Sequence, residues 1–393
     1  MRKQLLHTLF FTFILTVLTG VTSPFSMEMS AQTKKRHSAV VANKTQSTSK
    51  AKKRTAQRRR GRNGLITTVY SNPATGEWIH RGKRKIVIHR DTADGLRAMT
   101  PFSAKAAVAK PYADIINQYA QTLKPHYIKV YSVIAPTQGE FYMPERITDN
   151  LSQKAAIEEW NKYLHVRVRP ILVCDTLKAH ADEDIYLHTD HHWAPLGAYY
   201  AAAKIARELG DSIFISLEEC TPDTVKNFVG TMYNFSGDAQ ILKYPENFIY
   251  FLPPGNNQGE FIDYSLKANK VAYHETPPHS GPLFRKFHDG SRSAYSTFLG
   301  GDNHTVKTVN PDAQSPKKIL LVKDSYGNAL FPYLATAFQE VHIIDFRHFP
   351  HSLTDYIVDN GITDVIFVNC TELAFAPSTA QRLKEILPSK RKN

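Results

Sequence analysis

The run Lys318-Ile319-Leu320-Leu321-Val322-Lys323-Asp324-Ser325-Tyr326-Gly327-Asn328 decides the architecture. Four large apolar residues in a row, without polar alternation, describe a strand buried on both faces. Ala329–Phe338 then reads as a helix and Val341–Asp345 as a second strand. Leu353–Asn360 reads as a helix stopped by Gly361, and Asp364–Val368 as a third strand. Such a β-α-β-α-β series predicts a parallel sheet with right-handed crossovers.

Upstream the alternation continues. Tyr112, Ile115, Ile116, Tyr119 and Leu123 share one face of a helix over Tyr112–Leu123. Tyr127–Ala135 is strand-like and ends at Pro136, Ala155–Leu164 is helical, and Val166–Cys174 is strand-like again. Gly197–Leu209 is an Ala- and Tyr-rich helix stopped at Gly210. From Ile213 to about Val309 the chain is dense in Gly, Pro, Asn and aromatics, with short strand-like pieces at Phe248–Leu252 and Ala272–His274. This predicts a β-rich insertion or subdomain over about 213–309. Strands are also expected at Ile66–Tyr70 and Lys85–His89, with order beginning near Leu65, so the α/β body spans 63–393.

The 393 residues carry a formal net charge of +13, which taken alone points to a polyanion partner. Its distribution argues otherwise. Residues 1–62 hold fourteen Lys and Arg against one acid, Glu28, so the tail accounts for the excess and the body is neutral. A phosphate-tracking groove and a nucleic-acid partner are therefore not expected. Arg2 and Lys3 precede an uncharged apolar stretch over Leu5–Val21, which reads as a signal peptide or signal anchor within 1–31. Residues 32–62, rich in Lys, Arg, Ser, Thr, Gln and Ala, read as a disordered basic linker able to contact an anionic surface. Cys174, Cys220 and Cys370 show no metal-ligand spacing, and Cys174 and Cys370 read as buried thiols in β-like runs.

Reactive groups in open α/β sheets gather at the carboxyl ends of the strands. There the sequence places Ser325, Tyr326, Arg347 and Asn369. A Ser at a strand-to-helix turn can expose its hydroxyl beside N–H groups able to hold an oxyanion, although Asp324 and Ser325 are also ordinary helix caps. Arg347 and Asn369 could donate to the same charge, or serve as a salt bridge and a turn cap. The densest cluster is Tyr186-Leu187-His188-Thr189-Asp190-His191-His192-Trp193. A carboxylate two residues from an imidazole can orient it as the base for a Ser nucleophile. The cluster could instead bind metal, but the His-x-His-x-Asp-His pattern of metallo-β-lactamases is broken by Tyr186. A structural cluster around Trp193 is a further reading.

Asp190-His191-His192-Trp193, followed by Pro195-Leu196-Gly197-Ala198-Tyr199-Tyr200, resembles the signature of the bacterial DHHW protein family. The Lys323–Asn328 block and the Ala135-Pro136-Thr137 turn fit that family too. The layout is similar to the SGNH-like domains of alginate-acetylation proteins, in which an Asp-x-His-Trp motif precedes the Ser block. Ordinary SGNH hydrolases place Asp and His last, so the resemblance implies a circularly permuted, SGNH-like three-layer parallel sheet over roughly 63–393. It implies Ser325 as nucleophile, His192 as general base with His191 its competitor, and Asp190 as the group orienting His192. Arg347 stands where many SGNH enzymes have an oxyanion-hole Gly, Asn369 matches the third block, and Asp324-Ser325 lacks the usual preceding Gly. Tyr326 joins Arg347 and Asn369 as expected oxyanion or substrate contacts.

The implied activity is serine acyl transfer on a cell-surface or exported glycan, by O-acetyltransferase or acetylesterase, with no cofactor and no metal. Partners would be the glycan or acyl-ester substrate and an export or polysaccharide-assembly protein. The alternative is a non-catalytic glycan-binding protein of the same fold, with the aromatics of Met232–Tyr273 as its platform.

Overall fold

The computed structural model describes residues 55–387 except 61–65, 73–76, 82–84, 91–94, 212, 256 and 267–272. The apolar N-terminal segment and the linker up to residue 54 lie outside the described residues. Among the described residues no helix is long and apolar enough to cross a membrane.

The first sheet is antiparallel and runs β1 (Thr55–Arg60), β2 (Ile66–Asn72), β3 (Glu77–Arg81), β4 (Lys85–His89) and β5 (Arg97–Met99) in sequence order. Strand pairing thus starts at Thr55, inside the segment expected to be linker. β1 pairs with β2 through its backbone from Thr55↔Ser71 to Arg60↔Ile66, and such pairing needs no apolar pattern in the basic strand.

The main sheet collects β6 (Lys129–Ala135) and β7 (Val168–Pro170) from the first half of the chain. A separate hairpin joins β8 (Thr221–Phe228) to β9 (Glu246–Leu252). Then come β10 (Gln258–Leu266), β11 (Tyr273–Glu275), β12 (His279–Pro282), β13 (His304–Val309), β14 (Ser315–Lys323), β15 (Phe338–Asp345) and β16 (Asp364–Cys370). The order across the sheet is β11-β10-β13-β15-β14-β16-β6-β7, with β12 also on β10. β15, β14, β16, β6 and β7 are parallel, as the sequence series requires. β13 and β10 extend the sheet antiparallel from β15. The aromatic-rich region therefore does not stand apart as a subdomain, because four of its strands continue the main sheet.

Successive residues of each central strand face opposite layers. Ile319 and Leu321 pack with α3 (Pro195–Glu208) and α4 (Phe331–Ala337). Leu320 and Val322 pack on the other face with α1 (Lys110–Thr122), α2 (Gln153–Asn161), α5 (Leu353–Asp359) and α6 (Pro377–Glu385). Burying each such side chain contributes roughly 1.5–3 kcal/mol, and this is why these strands read as unbroken apolar runs.

Two expectations are corrected. The strand expected over Val166–Cys174 is only Val168–Pro170, and Cys174 opens a short helix to Lys178, where its thiol is buried. The aromatics of Met232–Tyr273 do not form an exposed platform. Phe248, Tyr250, Phe261 and Tyr264 are buried in the core: Phe248 and Tyr250 lie on one face of β9, and Phe261 and Tyr264 pack on opposite faces of β10, both of which are covered.

Candidate active site

Ser325 follows β14 directly. Asp324 caps the short turn Ser325–Ala329, its Oδ1 accepting from Tyr326 N at 2.9 Å. Its Oδ2 accepts from Cys370 N at 2.7 Å, and its own N–H donates to Val368 O at 3.2 Å, which ties the turn to β16. Burial raises the Asp324 carboxyl above its ordinary value, against the lowering effect of Arg347. With Asp324 acting as the cap, Ser325 is freed from that task. Of the described residues Ile319–Leu334, Ser325 alone is not buried before Ala335, so its hydroxyl is the group this turn presents.

The Asp-His-His-Trp segment is a tight loop closed by a bridge between Tyr186 and Trp193 and by Ala194 N donating to Ile185 O at 2.9 Å. Gly197, at the start of α3, allows this closure, since a Cβ there would lie 2.2 Å from Ile185 O. Trp193 Nε1 donates to Tyr326 O at 3.1 Å and fastens the loop to the serine turn. Glu246 of β9 accepts from His188 N and Thr189 N at 2.8 and 2.7 Å. Gln138, beyond β6, donates to Asp190 O at 2.9 Å, and Ala98 N of β5 donates to His188 O at 2.9 Å. Each sheet and the β8–β9 hairpin therefore supplies a support for one loop.

These supports bring Asp190, His192 and Ser325 into line. His192 Nδ1 lies 2.6 Å from Asp190 Oδ1, and His192 Nε2 lies 2.7 Å from Ser325 Oγ. His192 N also donates to Asp190 Oδ1 at 3.0 Å. Thr231 donates to Asp190 Oδ2 from both its backbone N and its Oγ1, each at 2.8 Å. Burial pushes the Asp190 carboxyl up, but His192, His191 and the Thr231 amide outweigh it and hold the group well below the ordinary carboxylate range. A charged Asp190 facing Nδ1 leaves Nε2 to accept a proton.

His191 is the other imidazole of the pair. Its Nδ1 meets Thr231 Oγ1 at 2.6 Å, and its side chain is 28% exposed against 7% for His192. His192, not His191, reaches Ser325. Donor atoms of Asp190, His191 and His192 do lie within 4.8 Å of one another, the reach of a metal site. The Asp190 Oδ1 to His192 Nδ1 distance of 2.6 Å is nevertheless a hydrogen bond, shorter than two ligand atoms around one ion would sit.

The three remaining expected contacts separate. Asn369 is fully buried, its Oδ1 accepts from the Tyr112 hydroxyl, and its Nδ2 has no hydrogen-bond partner among the described residues. An unpaired donor at a strand end beside the serine turn is costly unless something else accepts from it. Arg347 is engaged elsewhere. Its Nε and Nη2 donate to Asp345 at 2.8 and 2.6 Å, Nη2 donates to Asp302 at 3.0 Å, and its backbone N–H is taken by Asp345 Oδ1 at 3.0 Å. Lys323 joins the same buried network at 3.0 Å from Asp302 and 2.8 Å from Asp345. Burial opposes ionisation of Asp302, but Lys323 and Arg347 hold its carboxyl well below the usual range. Tyr326 is corrected from a substrate contact to a structural tie. It is buried, its N–H bonds Asp324, its hydroxyl bonds His191 O, and its carbonyl accepts from Trp193.

Sequence reasoning missed Gly230, Thr231, Gln138, Glu246 and Tyr295. The Tyr295 ring stacks on His192 at 3.7 Å and 7°. Among 19 Tyr and 21 Phe nothing marks it out in the sequence.

A family profile described as DHHW protein matches residues 91–344. The chain belongs to the DHHW protein family. A DHHW family protein from Eubacterium siraeum is 30% identical, with a TM-score of 0.67, over 80% of this chain and 97% of that one. Bacillus cereus PatB1 bearing a sulfonyl adduct is 22% identical, with a TM-score of 0.57, over 76% of this chain and 99% of that one. The O-acetyltransferase domain of Pseudomonas putida AlgJ is 14% identical, with a TM-score of 0.42, over 76% of this chain and 98% of that one. A search of curated proteins finds no match. This DHHW protein is thus a mixed α/β protein sharing its fold with the PatB1 type.

Proposed function

We propose that this DHHW protein is an extracytoplasmic serine acyl-transfer enzyme, acting as an O-acetyltransferase or acetylesterase on a cell-surface or exported glycan. The line from Asp190 through His192 to Ser325, at 2.6 and 2.7 Å, carries the reading. Ser325 Oγ bonds to the carbonyl carbon of an ester while its proton passes to His192 Nε2. The low-lying Asp190 carboxylate stabilises the imidazolium, and the family resemblance assigns Asn369, at the end of β16, to the oxyanion. Collapse breaks the bond to the donor alcohol, which takes the proton from His192 and leaves an acyl-Ser325. Water or a sugar hydroxyl then gives its proton to His192 and takes the acyl group, and Ser325 recovers the proton.

The geometry supports acyl transfer. The acetyl group and the glycan rest on the sequence resemblance, and the extracytoplasmic site on Arg2, Lys3 and the apolar stretch Leu5–Val21. The test is hydrolysis of a chromogenic acetyl ester by the purified protein beside Ser325→Ala and His192→Ala. Activity lost in both variants, with melting temperatures unchanged, is the expected result. An inactive parent, or a fully active Ser325→Ala, overturns it in favour of a binding protein of the same fold.

A further inference from the structure

We infer that Tyr295 is a positioning residue for the relay: its ring holds the His192 imidazole in the plane that serves Ser325 and favours that imidazole once it is protonated. The inference rests on the acyl-transfer reading above. Tyr295 lies in the turn Ala294–Thr297, between β12 and β13, far from the Asp-His-His-Trp loop in sequence. Two hydrogen bonds hold His192, one at each ring nitrogen. Bonds at Nδ1 and Nε2 fix the ring along the line joining its partners but leave it free to roll about that line. Contact with a ring face is what stops the roll.

Tyr295 supplies that contact. Its ring lies 3.7 Å from the imidazole and within 7° of parallel. The same side chain reaches the nucleophile's backbone, since Tyr295 Oη donates to Ser325 O at 3.1 Å. One residue therefore touches both partners of the 2.7 Å bond between His192 and Ser325. Tyr295 is itself held, buried against Phe248 and Phe298 at 6.3 and 5.9 Å between ring centroids. His191 approaches the imidazole too, at 3.8 Å, but is tilted by 39°.

The stacking also has an electrostatic consequence. When Ser325 loses its proton to Nε2, the imidazole becomes a cation beside the negative face of an aromatic ring. In a desolvated site that attraction is strongest, and it exists only after proton transfer, so it lowers the barrier rather than tightening substrate binding. A merely packed aromatic would act on stability without this dependence on the charge of its face.

The experiment measures the rate at which a small sulfonyl fluoride modifies Ser325, by intact mass, in the full-length protein. In that reaction Ser325 Oγ bonds to sulfur, the S–F bond breaks with release of fluoride, and the proton passes through His192 to water. Tyr295→Phe, which keeps the ring and loses the hydroxyl, is expected to slow modification about threefold. Tyr295→Leu is expected to slow it about thirtyfold, and pentafluorophenylalanine at 295, which keeps the ring size and reverses the charge of its face, about tenfold relative to Phe. For turnover of an acetyl ester the loss falls on kcat, with KM little changed. Equal rates for the Phe and pentafluorophenylalanine proteins overturn the inference and leave the acyl-transfer reading intact. An unmodified Ser325 in the parent overturns both. If Tyr295→Leu fails to fold, as its melting temperature would reveal, the two ring-bearing variants still decide.

Discussion

Ser325 and His192 face each other across 2.7 Å, yet their supports are of different kinds. Ser325 stands on the parallel sheet. Its turn is fixed through Asp324 to the backbone of β16, and β16 is paired along its length to β14 and β6. His192 stands on an irregular loop held by scattered contacts: side-chain bonds from Glu246 and Gln138, main-chain and side-chain bonds from Thr231, a main-chain bond from Ala98 and the stacked ring of Tyr295. Repeated backbone pairing averages over many bonds, so one substitution moves a sheet-borne group little. A loop-borne group depends on each contact separately. Stability should therefore concentrate in the serine half and functional sensitivity in the histidine half.

The largest effect joins the halves: Ser325→Ala or His192→Ala should each lower kcat/KM for an acetyl ester by roughly 10⁴-fold or more, and the double variant by little more than either. Near-additive losses would mean that the two groups do not work as one unit. The sheet half is next. Lys323→Ala leaves Asp302 and Asp345 short of a buried cation, and should cost about 3–5 kcal/mol in urea unfolding. Gly230→Ala probes the loop half, since a Cβ there would lie 2.4 Å from Asp190 Cβ and 2.5 Å from its Oδ2. It should reduce kcat/KM about a hundredfold while shifting the melting temperature far less than Lys323→Ala. If the two variants exchange these signatures, the division between the halves fails.

The smallest effect is a pH dependence inside the sheet. His342 of β15 is fully buried between Glu340 and the Tyr356 hydroxyl, and burial lowers its pKa from 6.5 to about 4. Between those values the unfolded chain binds the proton and the folded chain does not, so stability is greatest above pH 6.5 and falls as the pH drops toward 4. The loss should be on the order of 2–3 kcal/mol, and thermal melts of His342→Gln should be flatter across that window.

The same division governs how much could be read from the sequence. The runs Ile319–Val322, Val341–Asp345 and Asp364–Val368 are apolar because both faces are covered, so the parallel core and the strand-end positions of Ser325 and Asn369 were legible. So was the Asp190–His192 pair, because its members are neighbours in the chain. Thr231, Glu246 and Tyr295 were not, because each acts across 30 or more residues of sequence and carries no local pattern. Arg347 could be placed at a strand end but not paired. Its commitment to Asp302 and Asp345 depends on how the chain before β13 returns to the sheet.

The rims of the main sheet bear on behaviour in concentrated solution. At one rim β7 offers only Val168–Pro170, whose exposed Arg169 is paired to Glu208 and whose proline has no N–H to donate. At the other, the broken pair β11 and β12 replaces one long strand, and β12 ends in Pro282. Short, charged or proline-bearing rims are poor templates for a neighbouring chain. A sheet this wide is thus kept from growing by addition of strands from other molecules, and crowding should favour separate molecules over fibres.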